Sequence, residues 1–68
     1  MRVKYFPDTD TAHVEFTDKA IQETREISEN IYIDIDGEGD IVSMTIEHAK
    51  DKAGLREFSY QEMSRKTA

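Results

Sequence analysis

The feature that most constrains the fold of this chain is a pair of alternating runs on either side of a glycine-containing turn. In residues 31–36 every second residue is an isoleucine, and in residues 42–47 Val42, Met44 and Ile46 alternate with polar side chains. Successive side chains of a β-strand point to opposite faces, so each run predicts a strand with one apolar face. The Gly-Glu-Gly-Asp segment between them tolerates the positive φ that tight hairpin turns require. The sequence therefore predicts a β-hairpin.

The period of the two runs also predicts the register of this hairpin. An even number of loop residues brings apolar residues opposite apolar residues, whereas an odd number would place Ser43 and Thr45 opposite isoleucines. The expected pairs are Ile35 with Val42, Ile33 with Met44, and Ile31 with Ile46.

A second hairpin is predicted in the N-terminal part of the chain. Apolar and polar residues alternate in residues 2–5 and again in residues 12–16. Pro7 and the Asp and Thr residues after it are typical of a turn, because proline cannot continue a paired strand and Asp side chains hydrogen-bond nearby backbone N–H groups. A turn at Thr9 and Asp10 places the apolar residues of both strands on one face. The expected pairs are Asp8 with Thr11, Tyr5 with Val14, and Val3 with Phe16.

A weak edge strand and a short helix complete the predicted fold. The weak strand is predicted over residues 22–27, which are polar up to Ile27. It is expected at a sheet edge, because charged side chains there discourage unwanted pairing with another chain. Ser59 and Glu62 fit the capping box of a helix start, which predicts a helix over about residues 60–66. Because so short a helix is marginal alone, we expect it to dock on the sheet or on a partner chain.

The predicted fold class is α+β: a small, mainly antiparallel β-sheet of about five strands built from two hairpins, with a short C-terminal helix. One domain is expected over residues 1–68, with the sheet at about 2–48 and a helical tail at about 49–68.

The size and charge of the chain restrict its partners. A chain of 68 residues buries only about 60% of its unfolded surface, and without cysteine it has no disulfide to compensate. We therefore expect a homo-oligomer, most simply a dimer. A net charge of −6 repels nucleic acid and anionic membranes, so neither is expected as a partner, whereas a basic protein is. No apolar run approaches a membrane span and no signal-peptide pattern is present, so the expected location is the cytoplasm.

The two histidines, His13 and His48, are candidates for metal chemistry. A transition-metal site requires them to converge with one or two carboxylates. Their predicted positions, on the polar face of a strand and at the end of another, favour two solvated side chains instead.

A group of carboxylates around the glycine turn suggests a calcium loop. The EF-hand pattern needs a closing Glu at its twelfth position, which this turn lacks, so a solvated acidic turn is expected. The residues concerned are Asp34, Asp36, Glu38 and Asp40.

The chain also lacks a cysteine nucleophile, a phosphate-binding loop and a nucleophile-elbow serine. We expect no enzymatic activity, no cofactor and no metal.

Aromatic and apolar residues outside the alternating pattern are candidates for an interface. Tyrosine provides a large contact area at a low entropic cost. Tyr32 is predicted on the polar face of its strand, where an exposed aromatic would suit a second subunit or a protein partner. The possible interface residues are Tyr32, Tyr60, Leu55 and Phe58.

Two segments of the chain resemble a known family. Residues 5–14, YFPDTDTAHV, are similar to a Tyr-Asp-Pro-x-x-Asp opening followed by an apolar strand, with Phe6 where Asp is common. Residues 23–47 continue the similarity through ETREI, IYIDID and the strand that follows the turn. The chain thus resembles the YuzE-like family of small prokaryotic proteins, a domain of unknown function. The resemblance implies a small antiparallel sheet with a helical segment, and it adds some weight to an antitoxin-like role.

Two functional hypotheses follow. The first is a non-enzymatic protein-interaction module that self-associates and binds a basic partner, as an antitoxin does, because negative charge speeds encounter with a cationic protein. The alternative is a small metal- or metabolite-binding protein or enzyme that uses His13 or His48.

Overall fold

The computed structural model describes residues 1–57 and 59–63, and this part of the chain forms one antiparallel sheet and one short helix. The elements are β1 (Arg2–Phe6), β2 (Thr11–Glu15), β3 (Glu23–Ser28), β4 (Ile31–Ile35), β5 (Ile41–Glu47) and α1 (Ala49–Lys52). The strand order is β1-β2-β5-β4-β3, so β5 lies at the centre and the charged β3 lies at an edge, as predicted. The α+β class with five antiparallel strands is confirmed.

The register of the β4–β5 hairpin matches the prediction except at its tip. Ile31 pairs with Ile46 and Ile33 with Met44, but Ile35 faces Ile41 and not Val42. The reason lies in the turn, where the backbone N–H of Asp36 donates to the carbonyl of Asp40 and leaves an odd loop of three residues. A β-bulge adds one residue to β5 and thereby restores the apolar pairing farther along the hairpin.

The register of the β1–β2 hairpin was predicted wrongly. Tyr5 faces Ala12 and Val3 faces Val14, two residues away from the expected partners. Backbone hydrogen bonds from Thr9 to Phe6 and from Asp10 to Pro7 make a four-residue turn, and Asp10 ends it in the left-handed conformation with φ 54°. Because the shift is an even number of residues, the apolar side chains still share one face.

The helix lies earlier than predicted. It follows β5 directly and spans only Ala49–Lys52, while residues 59–63 contain no helix, so the predicted helix start at about residue 60 is wrong. Residues 64–66 of that prediction lie outside the described residues. Backbone contacts with the first hairpin hold α1 in place, and these long-range contacts decide its position over the local capping signal.

The pairing registers divide the sheet side chains into two faces. The apolar face carries Val3, Tyr5, Ala12, Val14, Ile31, Ile33, Met44 and Ile46. The polar face carries Lys4, His13, Tyr32, Asp34, Ser43 and Thr45. The buried apolar residues of the described part are Ala12, Val14, Ile35, Val42 and Ala49, and no large side chain in it is fully buried.

Candidate interaction surfaces

Asp10 attaches the helix to the first hairpin. Its carboxylate accepts hydrogen bonds from the Tyr5 hydroxyl at 2.7 Å and from the backbone N–H of Lys50 at 3.0 Å. Its carbonyl oxygen accepts a third from the backbone N–H of Ala49 at 2.8 Å. The bond from Tyr5 is the main reason why the pKa of Asp10 is lowered, and it also raises the pKa of Tyr5. The sequence signal for this role is the Asp that ends the Pro-x-x-Asp turn, although that pattern alone predicts only a turn.

The segment after β5 covers the β1 side of the apolar face. The ammonium group of Lys50 lies 5.0 Å from the centre of the Tyr5 ring, a cation–π distance. The backbone N–H of Leu55 donates to the carbonyl of Ala49, which turns the chain back after α1. Leu55 is half-buried and lines a groove with Val3 and Tyr5. Leu55 therefore lies on the same side of the sheet as Val3 and Tyr5, and its role in an interface stays a prediction.

A second groove lies farther along the same side. It has a volume of about 860 Å³ and is lined by Met1, Val3, Phe16 and Tyr60. Tyr60 is 68% exposed, so most of its ring faces outward. Its predicted interface role stays a prediction, and Phe58 lies outside the described residues.

The β4–β5 side of the apolar face is partly open. The cross-strand pairs Ile31–Ile46 and Ile33–Met44 lie next to each other on two inner strands, yet all four side chains are only half-buried. At the adjoining edge, Ile27 of β3 lies at the bulge between Glu26 and Ser28 and is 57% exposed. We call the four residues of these two pairs, Ile31, Ile33, Met44 and Ile46, the open apolar patch.

The dimensions of the molecule agree with a sheet that is covered on only part of one face. The Cα radius of gyration is 14.0 Å, whereas a compact domain of this length has about 11 Å. The accessible surface is 5634 Å², whereas a compact monomer of 7.9 kDa exposes about 4,400 Å². The chain thus exposes about 1,200 Å² more than a compact monomer.

The polar face carries a row of hydrogen-bonded side chains. Asp34 accepts from the hydroxyl of Thr24 at 2.6 Å and from that of Ser43 at 2.5 Å. Burial alone would raise the pKa of Asp34, but these two bonds outweigh burial and hold the pKa below its usual value. In the same row, His13 Nδ1 lies 3.1 Å from the hydroxyl of Thr45. The row therefore joins β3, β4, β5 and β2 across the sheet.

Tyr32 lies on this polar face among carboxylates. It pairs with Glu26 on β3 and with Thr45 on β5, and it is half-buried. The charge of Glu47 is the main reason why the pKa of Tyr32 is raised, with burial and the nearby Glu26 and Glu29 adding to it. The phenol therefore remains a hydrogen-bond donor in a region of negative potential.

The acidic turn and the two histidines do not form one site. The Asp36 carboxylate is 7% exposed and accepts the backbone N–H groups of Glu38 and Asp40, both at 2.9 Å. These bonds, that of Asp40 first, lower the pKa of Asp36 and use the carboxylate to close the turn. His48 is exposed and has φ 55° at the start of α1. Within residues 1–57 and 59–63, no three His, Asp or Glu side chains converge as metal ligands would.

The described residues form a small α+β domain of five antiparallel strands and one short helix. The chain matches the family described as "Protein of unknown function (DUF2283)" over residues 2–50 and belongs to that family, which confirms the resemblance seen in the sequence. The match begins with β1 and extends into α1, so it includes all five strands and the Asp10 attachment. No curated protein and no solved structure matches the chain. In the described part, no helix has the length and apolar character needed to cross a membrane.

Proposed function

We propose that the protein is a small non-enzymatic interaction module that self-associates. The observation that supports this most directly is the open apolar patch, whose large side chains lie on inner strands and remain partly exposed. Contiguous apolar surface on one face of a sheet is a candidate contact surface for a partner. A second chain would cover it and complete a core that one chain alone leaves incomplete.

The polar face supports the non-enzymatic part of the proposal. A general acid or base that works near neutral pH needs a pKa close to neutral. The pKa of Asp34 moves the other way, because hydroxyl groups of Thr24 and Ser43 stabilise the ionised form. The carboxylate therefore serves to join three strands.

Native mass spectrometry of the untagged protein, purified gently from its own cells, tests the proposal. We expect a mass near twice the chain mass of 7.9 kDa, with no additional small molecule. A spectrum of single chains carrying a stoichiometric metal or metabolite would contradict the proposal and favour the alternative based on His13 or His48.

The proposal extends to a basic protein partner, as an antitoxin-like role requires. Two observations support a basic partner. The net charge of the chain is −6, and Tyr32 is surrounded by Glu26, Glu29 and Glu47. Tyrosine offers an apolar ring and carboxylates offer charge, which together suit a lysine or arginine side chain.

Titration calorimetry with a lysine-rich peptide tests this extension. We expect salt-sensitive binding that weakens in both Tyr32→Ala and Glu47→Gln. Glu57→Gln is a matched control, because it removes the same charge from a residue that lines the groove near Val3 on the other face. Equal weakening in all three variants would mean that only net charge matters and that Tyr32 is not a binding residue.

A further inference from the structure

We infer that residues 48–57 form a strap that opens as one unit while the five-stranded sheet stays folded, and that Asp10 is the latch that keeps it closed. The strap consists of α1 and the residues on either side of it. It lies beside β1, where Leu55 lines a groove with Val3 and Tyr5. The inference concerns a single chain, so it does not depend on the proposed self-association.

The latch takes the place of a cap at the start of α1. The first N–H groups of a helix have no partner within the helix, and the side chain just before it usually accepts one of them. His48 occupies that position and makes no such hydrogen bond. Asp10 accepts instead, with its carbonyl oxygen from the N–H of Ala49 at 2.8 Å and with its carboxylate from that of Lys50 at 3.0 Å. The start of α1 is therefore held by a distant part of the chain.

Ala49 connects the latch to the rest of the strap. Its side chain is fully buried, and its carbonyl oxygen accepts the backbone N–H groups of Ala53 at 3.2 Å and Leu55 at 2.9 Å. Gly54, with φ 64°, turns the chain back between these two donors. A helix of four residues is not stable alone, so releasing Ala49 from Asp10 also removes the bonds that Ala49 accepts. The strap is therefore expected to open as one unit.

The closed strap has a small margin of stability. All of its residues are exposed except Ala49 and the half-buried Leu55. Segments with few buried apolar contacts open locally at a lower free energy than the core. In addition, the described residues other than glycine that have positive φ are Asp10 at 54° and His48 at 55°, one on each side of the latch. Backbone of this kind is uncommon outside glycine and is found at segments that switch between states.

Opening changes the surface that the protein presents. In the closed state the Lys50 ammonium group lies 5.0 Å from the centre of the Tyr5 ring, and Leu55 lines the adjoining groove. When the strap opens, Val3 and Tyr5 lose these neighbours. Both lie on the same face of the sheet as the open apolar patch. The strap therefore controls how much of the apolar face a partner can contact.

Native-state hydrogen exchange of the full chain, followed by NMR, tests the strap. The amides of Ala49, Lys50, Ala53 and Leu55 report its opening, because each donates a hydrogen bond that opening breaks. We expect these four strap amides to share one protection factor, roughly tenfold or more below that of the β5 amides. Their exchange should not respond to low urea concentrations, because opening exposes little surface. Protection that differs among the four, or that equals that of β5, would overturn the inference.

Two variants separate the strap from the sheet. Asp10→Asn tolerates positive φ and keeps an acceptor but removes the charge, so we expect roughly 3- to 10-fold faster exchange of the strap amides. Gly39→Ala is the control, because it strains the turn at the other end of β5. It should accelerate exchange of the strand amides roughly 5- to 30-fold and change the strap amides by less than about twofold. Equal acceleration of both sets in Gly39→Ala would mean that the strap opens only with the whole sheet, contrary to the inference.

Limited trypsin digestion of the same proteins gives an independent readout. A protease needs an extended substrate, so cleavage after Lys52 in α1 requires an open strap and its rate follows the population of the open form. We expect Asp10→Asn to be cleaved there roughly 3- to 10-fold faster than wild type, and Gly39→Ala at about the wild-type rate. A wild-type rate in Asp10→Asn would show that Asp10 is not the latch.

Discussion

Gly39 is the position where a single methyl group tests the turn most cleanly. Its φ is 88°, and a Cβ added there would have no atom within 4 Å. The cost of Gly39→Ala is therefore conformational, since alanine is strained in this region by about 1–2 kcal/mol. A chain of this length has a total unfolding free energy of about 3–10 kcal/mol, so the loss is a substantial fraction of the whole.

Urea denaturation followed by circular dichroism, at one fixed protein concentration, measures this effect. With a slope of about 1 kcal/mol per M for a small domain, the midpoint of Gly39→Ala should fall by about 1–2 M. Gly37→Ala is the control in the same turn, because Gly37 has no positive φ and its added Cβ would meet only Gln22 Oε1 at 4.0 Å. We expect its midpoint to stay the same or rise slightly. Equal losses in both variants would refute the reasoning from φ.

Three further predictions concern the helix attachment, the core and the polar face. Asp10→Asn should lower the urea midpoint at neutral pH. Because the folded pKa of Asp10 is lowered, its contribution is present above the unfolded pKa and is lost as the pH falls through the folded pKa. The difference from wild type should therefore shrink on acidification, and a constant difference would count against the attachment. Val14→Ala, at a residue 8% exposed, should cost about 1.5–2 kcal/mol in the same assay, and a cost below about 0.5 kcal/mol would mean that the residue is not in the core. Glu47→Gln should lower the pKa of Tyr32 in an ultraviolet pH titration, with Tyr32→Phe identifying the signal; an unchanged pKa would show that Glu47 does not act on the phenol.

Much of the sheet could be predicted because its information is local. The alternation of residues 31–36 and 42–47 identifies both strands, and the pairs Ile31–Ile46 and Ile33–Met44 follow from the period alone. The bulge at the tip could not be predicted, because it depends on the Asp36 carboxylate, which closes the turn through backbone N–H groups of residues beyond it.

The features that the sequence did not reveal depend on long-range contacts. The position of α1 is decided by Asp10, whose carboxylate accepts a hydrogen bond from the backbone N–H of Lys50, 40 residues later in the chain. The capping signal at Ser59 and Glu62, in contrast, is purely local. The adjacency of β2 and β5 likewise has no local signal, and it is what places Val14 beside Met44. The open apolar patch is related to both, because the described residues after β5 lie beside β1 and not beside β4.

Sedimentation equilibrium of the full chain, from about 1 μM to about 100 μM, tests self-association most directly. The account predicts a weight-average mass that rises with concentration from 7.9 kDa toward twice that value, and an Ile33→Asp variant that stays near the mass of one chain while retaining its circular dichroism spectrum. A wild-type mass of 7.9 kDa over the whole range would contradict the account, because the open apolar patch would then face water in the native protein.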